Sequence, residues 1–281
     1  MRYAEQPALT TGLRRERIDT TVSTPPPTLS VVIPCLNDAP LLRRCLTTIA
    51  AQTDPPDEII VVDNGSTDDS ATVAREFGVR VVDEPRRGIT WATRAGFDAS
   101  TCDVMLRTDA DVAPAPGFVA KLHDAWDAAD ANSGPGHHQR EVVGVTGSGR
   151  FELPGAWGSV ATALYLGAYR ASVGAALGHQ PFFGTNYCIR RTWWRKVRDR
   201  VDFSDVEVHE DMHLSFAVGP GETVWFQPDL VVDMDPRALV GARQVLRRFR
   251  RGAHTIAVNW RDETPPQRLG ARGLLPAAMT R

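Results

Sequence analysis

The feature that most constrains the fold is an alternation of short apolar runs and helical patterns along residues 29–107. The apolar runs are continuous rather than interrupted at every second residue, which is typical of a parallel sheet covered by helices on both faces. We therefore predict an α/β fold with a mostly parallel central sheet. The predicted strands are Leu29–Ile33, Glu58–Val62, Val79–Val82 and Val104–Arg107, and the predicted helices are Pro40–Ala51, one opened by Ser66–Asp69, and Gly88–Ala99.

Polar residues follow three of the predicted strands at the point where each strand ends. Asn37 follows the first strand, Asp63-Asn64-Gly65 ends the second, and Asp109-Ala110-Asp111 follows the fourth. Ligands of open α/β sheets bind outside the carboxyl ends of the strands. We therefore expect these three segments to converge on one edge of the sheet.

The pair Asp109 and Asp111 is the strongest candidate for metal binding. The two residues are two positions apart on an extended chain, so both side chains point to one face. Free charges directly after a buried strand are costly without a partner. Hard oxygen ligands suit Mg²⁺ or Mn²⁺, with phosphate and water completing the shell. A surface turn with solvated acids is the alternative that stays open.

The composition of the 281 residues gives further limits. The net charge of −2 provides no global signal for a nucleic-acid partner, and the four cysteines lack the spacing of a zinc site. So few cysteines in a chain of this size are typical of free thiols in a reducing compartment, which predicts a cytoplasmic protein. The apolar stretch Gly158–Gly178 is interrupted by Arg170, so it predicts a buried or interface helix. Peripheral contact with the inner face of a membrane stays open for this stretch.

Six motifs in order resemble family 2 glycosyltransferases of the GT-A fold, and the resemblance covers residues 28–250. The motifs are Ser30–Asn37, Glu58–Asp68, Gly88–Gly96, Asp109–Asp111, Gly184–Asn186 and His209–Asp211. The resemblance implies an inverting transfer of a sugar from a nucleotide diphosphate sugar to an acceptor hydroxyl. A UDP-sugar is favoured and a GDP-sugar stays open. The acceptor class, whether small molecule, glycan or lipid-linked, also stays open.

The composition and the resemblance together predict the following division into regions. Residues 1–27 are a disordered segment without the apolar core of a signal peptide. Residues 28–235 are the GT-A domain, with a nucleotide-binding half at 28–112 and an acceptor half at 113–235. Residues 236–281 are a basic helix and a tail.

On the donor side, the resemblance implies that Asp63 holds the nucleotide base and that Asp111 is the direct ligand of Mn²⁺ or Mg²⁺. Asp109 is expected near the ribose or a metal-bound water. The other expected donor-binding residues are Pro34, Asn37, Asn64, Gly65 and Arg94. Simple turn chemistry is the alternative for the segment around Asp63.

On the acceptor side, the resemblance implies that Asp211 is the catalytic base and that Glu210 orients the acceptor or the loop. An inverting transfer is a single displacement, so it needs a base near the acceptor hydroxyl. Capping of a helix N-terminus by both acids is the alternative. The other expected acceptor-side residues are Gly184, Thr185, Asn186 and His209.

The basic helix Arg237–Trp260 contains a partial match to the Gln-x-x-Arg-Trp segment of processive relatives. Gln244 and Arg247 match, but Arg248 stands where the tryptophan would be, which argues against a polymer synthase. The two matching residues are candidates for contacts with a diphosphate, a lipid-linked phosphate or an anionic membrane. A solvated helix stays open. His254 is a minor candidate for a third metal ligand, since a lone histidine on a helix is more often structural.

Two other functions compete with transfer. A sugar-nucleotide pyrophosphorylase would need a glycine-rich basic loop after the first strand, where Pro34-Cys35-Leu36-Asn37 stands instead. A degenerate nucleotide-sugar-binding or scaffold protein is the non-enzymatic alternative. Four intact acids argue against it: Asp63, Asp109, Asp111 and Asp211.

Overall fold

A computed structural model describes residues 25–133, 140–239 and 242–276 of the chain. The predicted disorder of residues 1–27 falls almost wholly outside the described residues. So does the end of the predicted tail, from residue 277 onward.

The described residues contain one eight-stranded mixed sheet with the strand order β3-β2-β1-β4-β7-β6-β8-β5. Strands β3, β2, β1 and β4 are parallel, as expected from their continuous apolar runs. Strand β7 is antiparallel to both β4 and β6, and β5 is antiparallel to β8, whereas β6 and β8 are parallel. The strands are β1 (Leu29–Cys35), β2 (Glu58–Asp63), β3 (Arg80–Asp83), β4 (Val104–Thr108), β5 (Val112–Pro114), β6 (Glu141–Phe151), β7 (Asn186–Arg190) and β8 (Glu222–Met234).

Helices cover both faces of the sheet, which confirms the predicted α/β class. Successive side chains of β1 enter different cores, because Val31 packs with Trp126 of α4 and Val32 packs with Phe97 of α3. The helices are α1 (Ala39–Ala50), α2 (Ser70–Glu76), α3 (Ile89–Ala99), α4 (Phe118–Ala131), α5 (Trp157–Leu177), α6 (Arg191–Val197), α7 (Glu210–Phe216), α8 (Ala242–Asn259) and α9 (Pro265–Ala271), with a 3₁₀-helix at Pro236–Leu239.

Strand β1 continues through Pro34, where the sequence had predicted its end. Pro34 pairs with Val62 of β2, and Cys35 pairs with Asp63. On the other side, the pairing of β1 with β4 ends at Val32. The missing N–H of Pro34 therefore interrupts no ladder with β4, which is why proline is tolerated there.

Part of the predicted tail is instead a docked helix, α9. Thr264 and Gln267 form a capping box at its start, a pattern that is visible in the sequence. Arg268 is buried, donates to the carbonyl oxygens of Leu177 and Val218, and lies 2.7 Å from Glu263. These bonds hold the helix against the end of α5 and the segment after α7.

Helix α5 is less buried than the sequence predicted. Of its 21 residues, the buried ones are Gly158, Thr162, Leu166, Val173 and Leu177. Among the described residues, no helix is both long and apolar enough to cross a lipid bilayer. The four cysteines are buried and unpaired, as expected.

Candidate functional site

The loops after β1 and β2 lie against each other at the carboxyl edge of the parallel strands. The Asn64 N–H donates to the Cys35 carbonyl oxygen at 2.9 Å, and the Thr67 N–H donates to Asn37 Oδ1 at 2.7 Å. Asn37 has a φ of 54°, a left-handed conformation that asparagine tolerates better than most residues. The predicted convergence of Asn37 with the Asp63 segment is therefore present.

Asp63 and Asn64 stabilise these loops in different ways. Asp63 Oδ1 accepts from the Ser66 N–H at 2.9 Å, which is the expected turn chemistry. Asn64 is buried, donates to the carbonyl oxygens of Glu84 and Arg86, and accepts from the Gly88 N–H at 2.8 Å. These three hydrogen bonds of the Asn64 side-chain amide are all made with the loop after β3.

The two acids of the Asp-x-Asp motif have different surroundings. Asp109 lies 2.7 Å from Arg107 Nη1, and its Oδ2 accepts from Thr185 Oγ1 at 2.9 Å. Asp111 Oδ2 accepts from Arg237 Nε at 3.0 Å, and the same guanidinium donates to both carboxylate oxygens of Asp38. Arg237 therefore bridges the motif to the loop after β1.

Asp111 has the properties of a cation ligand. Burial, together with the nearby Asp109, raises the pKa of Asp111 to about 6, although Arg237 acts in the opposite direction. Among the residues that the structure describes, no group of three or more His, Cys, Asp or Glu side chains is placed to hold a metal. Two hard carboxylates with an incomplete shell fit Mn²⁺ or Mg²⁺ that is shared with phosphate and water. The guanidinium of Arg237 supplies part of the positive charge that such a cation would bring.

Arg107 joins the motif to the predicted acceptor side, and it was not among the residues predicted from the sequence. Its side chain is 3% exposed, its Nε lies 3.1 Å from Glu210 Oε1, and its Nη1 donates to the Gly184 carbonyl oxygen. A charged residue in the middle of the apolar run Val104–Thr108 was the available signal, because a buried arginine requires anionic partners. Burial, with the charges of Asp211 and Asp109, raises the pKa of Glu210 to about 7, although Arg107 acts in the opposite direction.

Asp211 is held at the start of α7 by two backbone donors. Its Oδ2 accepts from the Gly184 N–H at 2.7 Å, and its Oδ1 accepts from the Met212 N–H at 2.8 Å. A Cβ atom at position 184 would stand 3.0 Å from that Oδ2, so glycine permits the close approach. Asp211 is partly exposed while Glu210 is buried, so Asp211 is the acid that a substrate reaches more easily.

Several other predicted residues have structural partners. Asn186 is buried and donates to the carbonyl oxygens of Ser148 and Leu230. His209 Nε2 lies 3.0 Å from the carbonyl oxygen of Arg248. These contacts hold the predicted acceptor-side residues against β6, β8 and α8.

Three basic residues named from the sequence lie at different places. Arg94 is paired with acids on its own side of the sheet, Asp98 at 3.8 Å and Asp199 at 3.5 Å. His254 lies 2.7 Å from Asp205 rather than beside the Asp-x-Asp motif, which disfavours it as a metal ligand. Arg247 is exposed on α8, and the side chain of Gln244 lies outside the described part of the chain.

Comparisons of the sequence with known proteins give a family over part of the chain. The model of glycosyl transferase family 2 matches residues 30–151. An uncharacterised glycosyltransferase of Mycobacterium tuberculosis is 40% identical over 118 residues, which are 42% of this chain and 51% of the relative. Glycosyltransferase AglE of Haloferax volcanii is 31% identical over 96 residues, 31% of this chain and 32% of the relative. The chain spans about half the length of the mycobacterial relative that it matches.

Solved structures show the same fold. A mannosyltransferase from Pyrobaculum calidifontis in complex with GDP-Man and Mn²⁺ aligns with a TM-score of 0.64 at 23% identity, covering 90% of this chain and 71% of its own. Glucosyl-3-phosphoglycerate synthase from Mycobacterium tuberculosis in complex with phosphoglyceric acid aligns with a TM-score of 0.50 at 22% identity, covering 89% and 82%. The predicted GT-A fold is thereby confirmed, and the family resemblance is confirmed over residues 30–151.

Proposed function

Because residues 30–151 carry a family 2 glycosyltransferase domain, we propose that the chain is an inverting glycosyltransferase. It moves a sugar from a nucleotide diphosphate sugar to an acceptor hydroxyl by a single displacement. One observation carries the proposal: buried Arg107 contacts both Asp109 of the donor motif and Glu210 of the acceptor side. Acids from two distant segments thus belong to one network, as a reaction between two substrates requires.

The donor nucleotide is assigned to the edge formed by the loops after β1 and β2. Ligands of such sheets bind at this edge, and the carboxylate of Asp63 is able to accept a ring N–H of uracil or guanine. A UDP-sugar is the favoured donor, and a GDP-sugar is the alternative. Asn37 and Pro34 shape the loop beside it, while Asn64 and Gly65 hold the turn.

Asp111 and Asp109 are the residues that would hold Mn²⁺ or Mg²⁺. The cation supplies charge neutralisation for the departing nucleoside diphosphate. Asp111 is half-buried, and Arg237 already neutralises it in part. If a cation were bound to Asp111, Arg237 would be free to keep its ion pair with Asp38 or to donate to a phosphate oxygen, since its guanidinium donates in several directions.

Asp211 is assigned as the catalytic base. The proton of the acceptor hydroxyl passes to its carboxylate while the acceptor oxygen bonds to the anomeric carbon and the bond to the nucleoside diphosphate breaks on the opposite side. The Gly184 N–H orients the Asp211 carboxylate. Glu210 is buried against Arg107, so its role is to position that guanidinium rather than to touch the acceptor.

Two alternatives are less well supported. A pyrophosphorylase would need a long glycine-rich loop after β1, but β1 ends at Cys35 and α1 begins at Ala39. A degenerate binding protein would have no reason to keep Asp211 beside Gly184, a contact that contributes nothing to the predicted nucleotide edge.

Calorimetry of UDP and GDP, with and without Mn²⁺, tests the proposal together with a transfer assay for the preferred nucleotide sugar. We expect one nucleotide to bind more tightly with Mn²⁺, and Asp111→Ala to lose that metal-dependent gain. Asp229→Ala, which removes an exposed carboxylate on β8, is the matched control and should bind as the wild type does. Tight binding without any sugar transfer or donor hydrolysis would favour the degenerate binding protein instead.

A further inference from the structure

Helix α5 presents an apolar side chain row that no other part of the described structure covers. Trp157 and Leu164 are each 71% exposed, and Val160 between them is 45% exposed. Positions three and four apart lie on one side of a helix, so the three form a continuous stripe. Arg170 is the one charged residue of α5, and it stacks over the Phe226 ring at 3.3 Å and donates to Gln180. It therefore adds no free charge to the stripe.

Helix α8 presents a second apolar row, and this one lies beside cations. Leu246 is 68% exposed and Phe249 is 72% exposed. Arg243, Arg247 and Arg250 are also exposed and recur at spacings of four and three, which places them in a row beside the apolar pair. Within the described residues, none of these three arginines lies within ion-pair distance of a carboxylate.

The two helices belong to the same part of the molecule. Val173 and Leu177 of α5 pack with Met212 of α7, and Ile256 of α8 packs against the same cluster. Helix α7 carries Asp211 in its first turn. The two exposed rows therefore lie on helices that both contact the helix carrying Asp211.

We propose that the exposed row of α5 and the exposed α8 residues Arg243, Leu246, Arg247, Phe249 and Arg250 form a docking surface for an anionic membrane. Tryptophan, leucine and phenylalanine side chains enter the boundary between headgroups and acyl chains, and adjacent arginines pair with anionic headgroups. Tryptophan is also the residue type enriched at membrane interfaces. The surface contains none of the residues to which sugar transfer is assigned. Vesicle binding is therefore measured without donor or acceptor.

A second copy of the chain is the competing occupant, and the charges disfavour it. A two-fold contact brings the same surface of two copies together. The α8 arginines would then face one another without acidic partners, and like charges that meet across an interface oppose association. Anionic headgroups instead neutralise all of them at once.

Vesicle flotation of the full chain tests the proposal. We expect binding to vesicles of phosphatidylcholine mixed with phosphatidylglycerol, weaker binding at high salt, and little binding to phosphatidylcholine alone. Arg243→Gln with Arg250→Gln should weaken binding by about 25-fold, since each arginine near such a surface contributes a factor of about five. Arg75→Gln with Arg195→Gln removes two exposed arginines from α2 and α6 and should leave binding unchanged.

The apolar rows are tested separately. Leu246→Glu with Phe249→Glu should weaken binding to the mixed vesicles by at least about tenfold, because two apolar side chains that would enter the bilayer are lost. Trp157→Gln with Leu164→Gln should do the same from α5. All four residues are exposed, so thermal unfolding should be unchanged, which separates lost docking from lost folding.

Two results would overturn the proposal. The first is the absence of binding to the mixed vesicles at low salt, or binding that neither apolar double variant weakens. The second is light scattering that shows a dimer of the wild type which the same variants dissociate, because the surface would then be an interface between copies. Either result leaves the proposed sugar transfer untouched, since transfer is assayed without vesicles.

Discussion

The half of the sheet from β1 to β4 and the half from β5 to β8 build their parts of the site with different chemistry. In the first half, short polar side chains bond to backbone groups of neighbouring loops, as Asn64 does with the loop after β3. The second half instead matches a buried charge to one supplied by β4, as Glu210 of α7 is matched to Arg107. Backbone-directed turns depend on local sequence, whereas a buried ion network depends on segments that are far apart in the chain.

The largest expected effect is on turnover, from Asp211→Asn in the second half. Asparagine retains an oxygen for the Gly184 N–H but is unable to accept the acceptor proton. We expect kcat to fall by about 10²–10⁴-fold, the usual contribution of a general base, with nucleotide affinity unchanged. Steady-state kinetics and calorimetry measure the two quantities. Near-normal turnover would place the base elsewhere, with Glu210 as the next candidate.

Arg107→Met should give the largest loss of stability. Removal of this guanidinium leaves the buried Glu210 and the neighbouring Asp109 without their partner, which typically costs about 3–5 kcal/mol of unfolding free energy. Chemical denaturation measures the loss. Arg150→Met removes an exposed partner of Asp233 and is the matched control, with an expected change below about 1 kcal/mol. Equal losses in the two variants would contradict a buried charge network.

Asn64→Ala tests the first half and should have an intermediate effect. The substitution leaves the Gly88 N–H and the carbonyl oxygens of Glu84 and Arg86 without their side-chain partner, and we expect a loss of about 1–3 kcal/mol. Thermal or chemical unfolding measures this. Hydrogen exchange at the Gly88 amide should increase more than exchange at the Gly184 amide. Equal increases in hydrogen exchange at both amides would mean that the two halves of the sheet do not open independently.

The smallest expected effect, taken per unit of pH, is a pH dependence of stability that arises from Glu210. Burial raises the pKa of Glu210 to about 7 from an ordinary value of 4.5, so between these values the folded protein binds more protons than the unfolded chain. Stability should therefore decrease as the pH rises through this window, by at most about 1.4 kcal/mol per unit for one proton. Glu210→Gln should remove this decrease in denaturation measured across the window. Identical slopes for the two proteins would show that Glu210 is ionised throughout.

The first half was the more predictable from the sequence. The apolar runs of β1, β2 and β4 and the polar residues after them specify both the sheet and its ligand edge, because strand ends and turn residues are adjacent in sequence. Asn37, Asp63 and Asp111 lie at that edge as expected.

The second half was predictable only in part. Asp211 and Gly184 were identified by their resemblance to family motifs, but the hydrogen bond between them is not visible in the sequence. The antiparallel pairing of β7 depends on register with β4, and the position of Arg237 between Asp38 and Asp111 depends on chain folding. Neither has a local sequence signal.

Arg107 determines which parts of the site are able to move. From β4, its guanidinium contacts Asp109, the loop at Gly184 and Glu210 of α7, so displacement of any one of them leaves a buried charge without a partner. The amides of Gly184 and Met212 should therefore exchange with solvent in a single cooperative opening rather than one at a time. Movement that admits substrates is expected instead at Arg237, whose contacts with Asp38 and Asp111 lie at the surface. The predicted acceptor side is thus expected to stay rigid, whereas the segment after β8 is expected to move.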